Sequence, residues 1–233
     1  MIVYIYNIGV DLYNGFNGLR HRINWTYFTV LDGLAHPLYS ANGLFKSINK
    51  VNILKDISFS INENEILGLI GPNGSGKSTI MKCIAGLYHP TSGEITINGY
   101  DIDKDRVNAL SNMGVSIEYP ALYPNLTGED HFKMVAKWKK LDKSRIKEME
   151  DFSGLNSELK KEVRHYSMGM KQRLILSLAM MTKPKLLILD EPTNGLDPQA
   201  IIDLRKKLLD IRNDGTSILL SSHQLSEVDK LVD

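Results

Sequence analysis

Apolar residues follow two rhythms along this chain. Short apolar or alternating runs occur at Ile57–Ile61, Glu65–Ile70, Glu94–Ile97, Gly114–Ile117, Lys185–Leu189 and Ser217–Leu220, and each reads as a strand. Longer stretches at Thr79–Leu87, Gly128–Lys139, Met170–Met180 and Pro198–Asn213 carry the helical pattern. Turn signals separate them: Asn98-Gly99, Pro120, Pro124, Pro184, Pro192 and Asp214-Gly215. Strands that alternate with helices predict an α/β domain with a mainly parallel sheet. The stretch from about 119 to 182 is mostly helical and reads as a helical subdomain inserted into that domain. No internal repeat or low-complexity tract interrupts the pattern. Residues 1–40 stand apart. They are rich in Tyr, Asn and Gly without a clean period, although Trp25–Val30 fits a strand. They read as an atypical extension before a domain at 41–233.

Composition narrows the class. The chain has 233 residues, enough for one full core, and 42% apolar with 24% charged residues suits a soluble globular protein. A net charge of +1 offers no electrostatic footprint for a nucleic-acid partner. Cys83 is the one cysteine, so no internal disulfide forms, and it is expected to be a buried apolar residue in a reducing compartment. No run reaches the roughly 18 apolar residues of a membrane span. Met1–Val10 is apolar but has no basic leader or cleavage site. The chain is expected to stay in the cytosol and to meet a membrane only through a partner.

The candidate chemistry begins at Gly71-Pro72-Asn73-Gly74-Ser75-Gly76-Lys77-Ser78-Thr79. This fits the phosphate-loop pattern G-x-x-x-x-G-K-[ST], with an apolar strand before it and a helix after it. Glycines let several N–H groups face one phosphate, and the following helix adds its positive end. Lys77 can reach the β- and γ-phosphates, and Ser78 can hold Mg²⁺. A second motif, Leu186-Leu187-Ile188-Leu189-Asp190-Glu191, sets two carboxylates at the tip of a buried strand. That tip is where open α/β sheets bind ligands. Asp190 can hold Mg²⁺, and Glu191 can polarise an attacking water.

Three further segments complete a resemblance. Tyr166-Ser167-Met168-Gly169-Met170-Lys171-Gln172-Arg173 resembles the signature loop of ATP-binding cassette (ABC) ATPases. Pro192-Thr193-Asn194-Gly195-Leu196-Asp197-Pro198 is similar to their D-loop, and Ser221-Ser222-His223 to their switch histidine. Order and spacing match from about residue 42 to the end. The resemblance implies a P-loop (RecA-like) core with an antiparallel β part near the N-terminus and a helical insert. It implies ATP and Mg²⁺ as cofactors and two cassettes, identical or related, that pair head to tail around ATP. Ser167 and Gly169 would then meet the γ-phosphate held by the second copy, Asp197 would contact that copy, and His223 would bridge γ-phosphate and water. Gly169 would be needed for close backbone approach. The other histidines, His21, His36, His89, His131 and His165, match no motif and read as surface or core residues.

Three departures stand out. Glu118 takes the place of the glutamine usual in the family, where it can offer oxygen to Mg²⁺ or water and adds a negative charge. With the wording of Tyr119–Gly128 and of the signature loop, this resembles the branch that exports bacitracin or confers lantibiotic immunity. Ile48 takes the place of the adenine-stacking aromatic, with Phe45 three residues earlier. The chain stops at Asp233, just after a helix expected over Leu225–Val232, whereas the family continues with further strands, so the C-terminal strands are expected to be missing. The expected function is ATP binding and hydrolysis that powers export of, or immunity to, an antimicrobial peptide or similar amphiphile. It would act with a membrane permease on the cytoplasmic face, through a groove near Glu118–Pro124. Two other readings are an ABC ATPase that does not transport, and a truncated, inactive cassette. The first lacks its usual marks here: coiled-coil arms, zinc insertions or a second cassette.

Overall fold

A computed structural model describes residues 4–8, 37–118 and 122–224. In chain order the elements are β1 (Tyr4–Ile8), β2 (Tyr39–Ile48), β3 (Val51–Ile61), β4 (Ile66–Ile70), α1 (Lys77–Ile84), β5 (Ser92–Ile97), β6 (Tyr100–Asp101), α2 (Arg106–Ser111) and β7 (Met113–Ser116). There follow α3 (Gly128–Lys139), α4 (Lys143–Ser153), short 3-10 turns at Asn156–Lys160 and Val163–His165, α5 (Met168–Ala179), β8 (Leu186–Leu189), α6 (Pro198–Asn213) and β9 (Ser217–Ser222). The strand suggested at Trp25–Val30, the helix expected over Leu225–Val232 and residues 119–121 of the expected permease groove lie outside the described residues.

One sheet has the order β1-β4-β9-β8-β7. Strands β4, β9, β8 and β7 run parallel, and β1 pairs antiparallel with the edge of β4. A second, antiparallel sheet has the order β3-β2-β5-β6. Strands β4, β8 and β9 are buried throughout, which is why they read as continuous apolar runs. Alternate side chains serve two cores. Leu67, Leu69, Leu186, Ile188 and Leu219 pack with α1 and the second sheet, while Ile66, Ile70, Leu187, Leu189, Ile218 and Leu220 pack against α5 and α6. A third core joins Phe132, Met149, Leu159 and Leu174 of the helical stretch.

Local signals account for most boundaries. Thr127 and Asp130 form a capping box at the start of α3, each side chain bonding the other's backbone N–H. Ser167 caps α5, and Asp197 followed by Pro198 opens α6. The helix after the phosphate loop starts at Lys77 and stops at Ile84, short of the expected Thr79–Leu87. Gly86, at φ 66°, ends it in a left-handed turn, and Leu87 is left exposed. Strand β2 and helix α4 had no range of their own in the sequence, although α4 lies within the stretch read as mostly helical. Asn49 and Lys50, both at positive φ, turn β2 into β3 as a tight hairpin. Leu38 and Tyr39, placed in the extension by the sequence, are buried in the first core. Helix α4 was missed because only Ile146, Met149 and Phe152 supply its inward face, yet Asp142 caps it by accepting from the Arg145 N–H.

Cys83 is fully buried on α1, and burial pushes its thiol up to about 11 from the usual value near 9. The folded thiol therefore keeps its proton where the unfolded one loses it. Its contribution is complete below about pH 9 and is lost as pH rises toward 11. Replacing Cys83 with Ala is expected to flatten the fall in stability between those pH values, measured by denaturant titration. In the native protein, thiol-labelling rates should follow the rate of unfolding.

Candidate functional site

In the parallel part of the sheet all strands end on one edge, so the segments after β4, β7, β8 and β9 are neighbours in space. Those segments carry Gly71–Ser78, Glu118, Asp190-Glu191 and His223. After β4 the backbone turns through Gly74 and Gly76, at φ 78° and 88°, where glycine alone is unstrained. Ser75 N–H closes the turn onto the Pro72 carbonyl, and Gly71 N–H bonds the Ser222 carbonyl of β9. Gly76 then serves as the left-handed N-cap of α1. The loop thus points backbone N–H groups and the helix's positive end toward the strand ends.

Lys77 is buried. Its Nζ donates to the Gly71 carbonyl at 2.7 Å and to the Pro72 carbonyl at 3.3 Å, and lies 3.3 Å from Glu191 Oε1. The other Glu191 oxygen, Oε2, lies 2.7 Å from His223 Nδ1. One carboxylate therefore joins the phosphate-loop lysine to the histidine at the end of β9. Glu191 sits at φ 48°, an uncommon conformation for a residue with a side chain, which aims it off the end of the strand. Asn73, Gly74 and Pro72 are exposed at the mouth of the loop, and Ser78 and Thr79 are half-buried on α1.

Ser221 organises both carboxylates, a role the sequence did not reveal. Its buried hydroxyl donates to Asp190 Oδ1 at 2.6 Å and accepts from Glu191 N–H at 2.8 Å. Asp190 N–H donates to the Ser116 carbonyl of β7. Only the pairing of β8 with β7 and β9 brings these groups together. No short motif reports it.

Other predicted residues are engaged differently. Glu118, at φ 59°, pairs through its carboxylate with Lys82 of α1. Ser167 accepts from Met170 N–H and caps α5, and Asp197 accepts from Ala200 N–H at 2.9 Å and caps α6. Within this chain, then, both side chains fix helix starts. A Cβ at Gly169 would meet only Ala200 Cβ, at 3.6 Å, so the chain's own packing does not demand glycine there. Ile48 pairs with Val51 beside the hairpin turn, while Phe45 is partly exposed and pairs with Ser92. His131 is buried rather than at the surface. Its Nδ1 lies 2.8 Å from the Thr127 carbonyl and its Nε2 accepts from Tyr123 N–H, so it ties α3 to the segment after β7.

The loop suits a polyphosphate. Ser75 Oγ is buried in the cradle without a hydrogen-bond partner, a donor that an anion would satisfy. Ser78 and Asp190 supply hard oxygens of the kind that take Mg²⁺. Among the described residues no cluster of three or more acidic, histidine or cysteine side chains could hold a metal unaided.

Comparison with known proteins places this arrangement. The ABC transporter family profile matches residues 54–194. The lantibiotic transport ATP-binding protein SrtF of Streptococcus pyogenes is 43% identical over 190 residues, 82% of each chain. The bacitracin transport ATP-binding protein BcrA of Enterococcus faecalis is 38% identical over 192 residues, 82% of this chain and 62% of its own length. A solved ATP-binding subunit of an ABC transporter superimposes with a TM-score of 0.73 at 32% identity, covering 83% of this chain and 82% of its own. The chain spans only 62–66% of the length of several curated relatives that it matches. Phosphate loop, paired carboxylates, strand order and these matches agree: the chain belongs to the ABC transporter family, as an ATP-binding cassette.

Proposed function

We propose that this cassette binds and hydrolyses Mg-ATP to power export of, or immunity to, an antimicrobial peptide or a similar amphiphile. The observation that carries the reading is the Lys77–Glu191–His223 contact at the mouth of the phosphate loop. Gly71 to Thr79 cradle the triphosphate with backbone N–H groups, and Lys77 leaves the loop carbonyls for the β- and γ-phosphates. Ser78 and Asp190, with Glu118 as a further oxygen donor, would hold Mg²⁺. The ion supplies neutralisation of charge that develops on the phosphate oxygens. Glu191 orients and polarises the attacking water, and His223, already hydrogen-bonded to it, steadies that carboxylate beside the γ-phosphate.

A second cassette, identical or related, completes the site. Ser167 and Gly169 at the positive start of α5 face the γ-phosphate bound by that partner, and Asp197 lies at the same junction. The domain at 41–233 couples to a permease through its helical stretch, about 119–182. Tyr123, half exposed, lies in that stretch, and exposed Leu87 adjoins Tyr88, whose ring lies against Lys82, the partner of Glu118. No helix among the described residues is long and apolar enough to cross a membrane, so a permease would hold the cassette at the cytoplasmic face. The names of SrtF and BcrA support the peptide-antibiotic cargo.

Phosphate release by the purified chain with ATP, with and without Mg²⁺, tests the reading. Hydrolysis that requires Mg²⁺ is expected. A chain that binds no nucleotide overturns it.

A further inference from the structure

Glu118 carries a charge where the family usually has neutral glutamine, and its surroundings answer that charge. Its carboxylate pairs with Lys82 Nζ. Lys82 lies four residues after Ser78 on α1, hence on the same face, and long helical side chains lean back toward the helix start. The lysine is held in place. Its side chain is 18% exposed, and the Tyr88 ring lies 5.3 Å from its Nζ, with Lys46 at 5.4 Å from the same ring. The ammonium therefore lies against Glu118, one of the three oxygen donors assigned to Mg²⁺.

We propose that Lys82 is a positioning residue for Glu118: it docks the carboxylate on the Ser78 face of α1, so that Mg²⁺ competes with an internal cation for this ligand. The proposal rests on the reading of the site as an Mg-nucleotide site. A glutamine could not be held by charge in this way, so the lysine and the glutamate act as a pair. Lys82 then sets how much Mg²⁺ the cassette needs, while Lys77 and the loop set its grip on phosphate.

The test is equilibrium binding of a fluorescent ATP analogue to the purified full chain, titrated with Mg²⁺. Lys82→Met is expected to lower the Mg²⁺ concentration at half-maximal binding about three- to tenfold, the range of an exposed to half-buried ion pair. Lys82→Arg should restore the wild-type value. In a Glu118→Gln background, Lys82→Met should cause no further change. An unshifted Lys82→Met overturns the proposal, as does an equal shift in the Glu118→Gln background. If Lys82→Met does not fold, judged by thermal unfolding, Lys82→Gln serves in the same cycle. A wild-type chain that binds no Mg-nucleotide overturns this proposal together with the site reading. A binding wild type with an unresponsive lysine overturns this proposal alone.

Discussion

Glu191→Gln is expected to retain Mg-ATP while turnover falls by about two to three orders of magnitude, because in the proposed function the replaced group is the general base and its charge is lost. The substitution keeps size and shape. An amide oxygen can still accept from His223 at the 2.7 Å position, and the backbone at φ 48° is unchanged. What disappears is the anion that draws a proton from water. It also removes the negative charge facing Lys77, so the lysine is released from that contact and is freer to meet phosphate. Nucleotide affinity should therefore hold or rise. Phosphate release and nucleotide titration measure the two effects separately. If the proposed pairing of two cassettes holds, gel filtration of the same variant should show an ATP-dependent dimer. Wild-type turnover in Glu191→Gln would remove Glu191 from the chemistry.

Lys77→Ala should damage both binding and stability. Lys77 is 5% exposed, and its ammonium satisfies two loop carbonyls and one Glu191 oxygen. Its removal leaves those acceptors without their donor and a carboxylate with less compensation, at a cost of about 1–3 kcal/mol. Removal of the charge-assisted contacts to phosphate should weaken ATP binding by about tenfold to a hundredfold. Denaturant unfolding and fluorescent-nucleotide titration read the two losses. Combining Lys77→Ala with Glu191→Gln should recover part of the stability, because no uncompensated carboxylate then remains, yet should recover no binding. A Lys77→Ala chain as stable as wild type would mean that the lysine is not held as its geometry indicates.

Much of the fold was legible because its signals are local. Leu186–Leu189 reads as a buried strand since both of its faces are covered, and α3 and α6 fall on their expected ranges because Thr127, Asp130, Asp197 and Pro198 mark their starts. Strand β2 was not legible. Its side chains alternate poorly, its pairing with β3 has register shifts, and its partners β3 and β5 lie on either side of it in the sheet. Helix α4 was hidden by its charged surface, although its Asp142 cap was available to be read. The phosphate loop and the Asp190-Glu191 pair were legible as contiguous motifs. The Ser221 bridge, the Glu118–Lys82 pair and the buried His131 were not, since each joins residues from separate elements or depends on burial.

By itself, then, the sequence determined the chemistry that a short stretch of chain can hold: a glycine turn that opens a helix, and carboxylates at the end of an apolar strand. Backbone conformation and side-chain type at neighbouring positions suffice for these. Only the tertiary structure decided which strand ends lie side by side, and therefore that Lys77, Glu191 and His223 meet, that Ser221 binds both Asp190 and Glu191, and that Glu118 answers to Lys82. The physical reason is range. Hydrogen bonds and ion pairs act over a few ångströms, and residues far apart in the chain come within that distance only when the parallel sheet brings β4, β9, β8 and β7 into register.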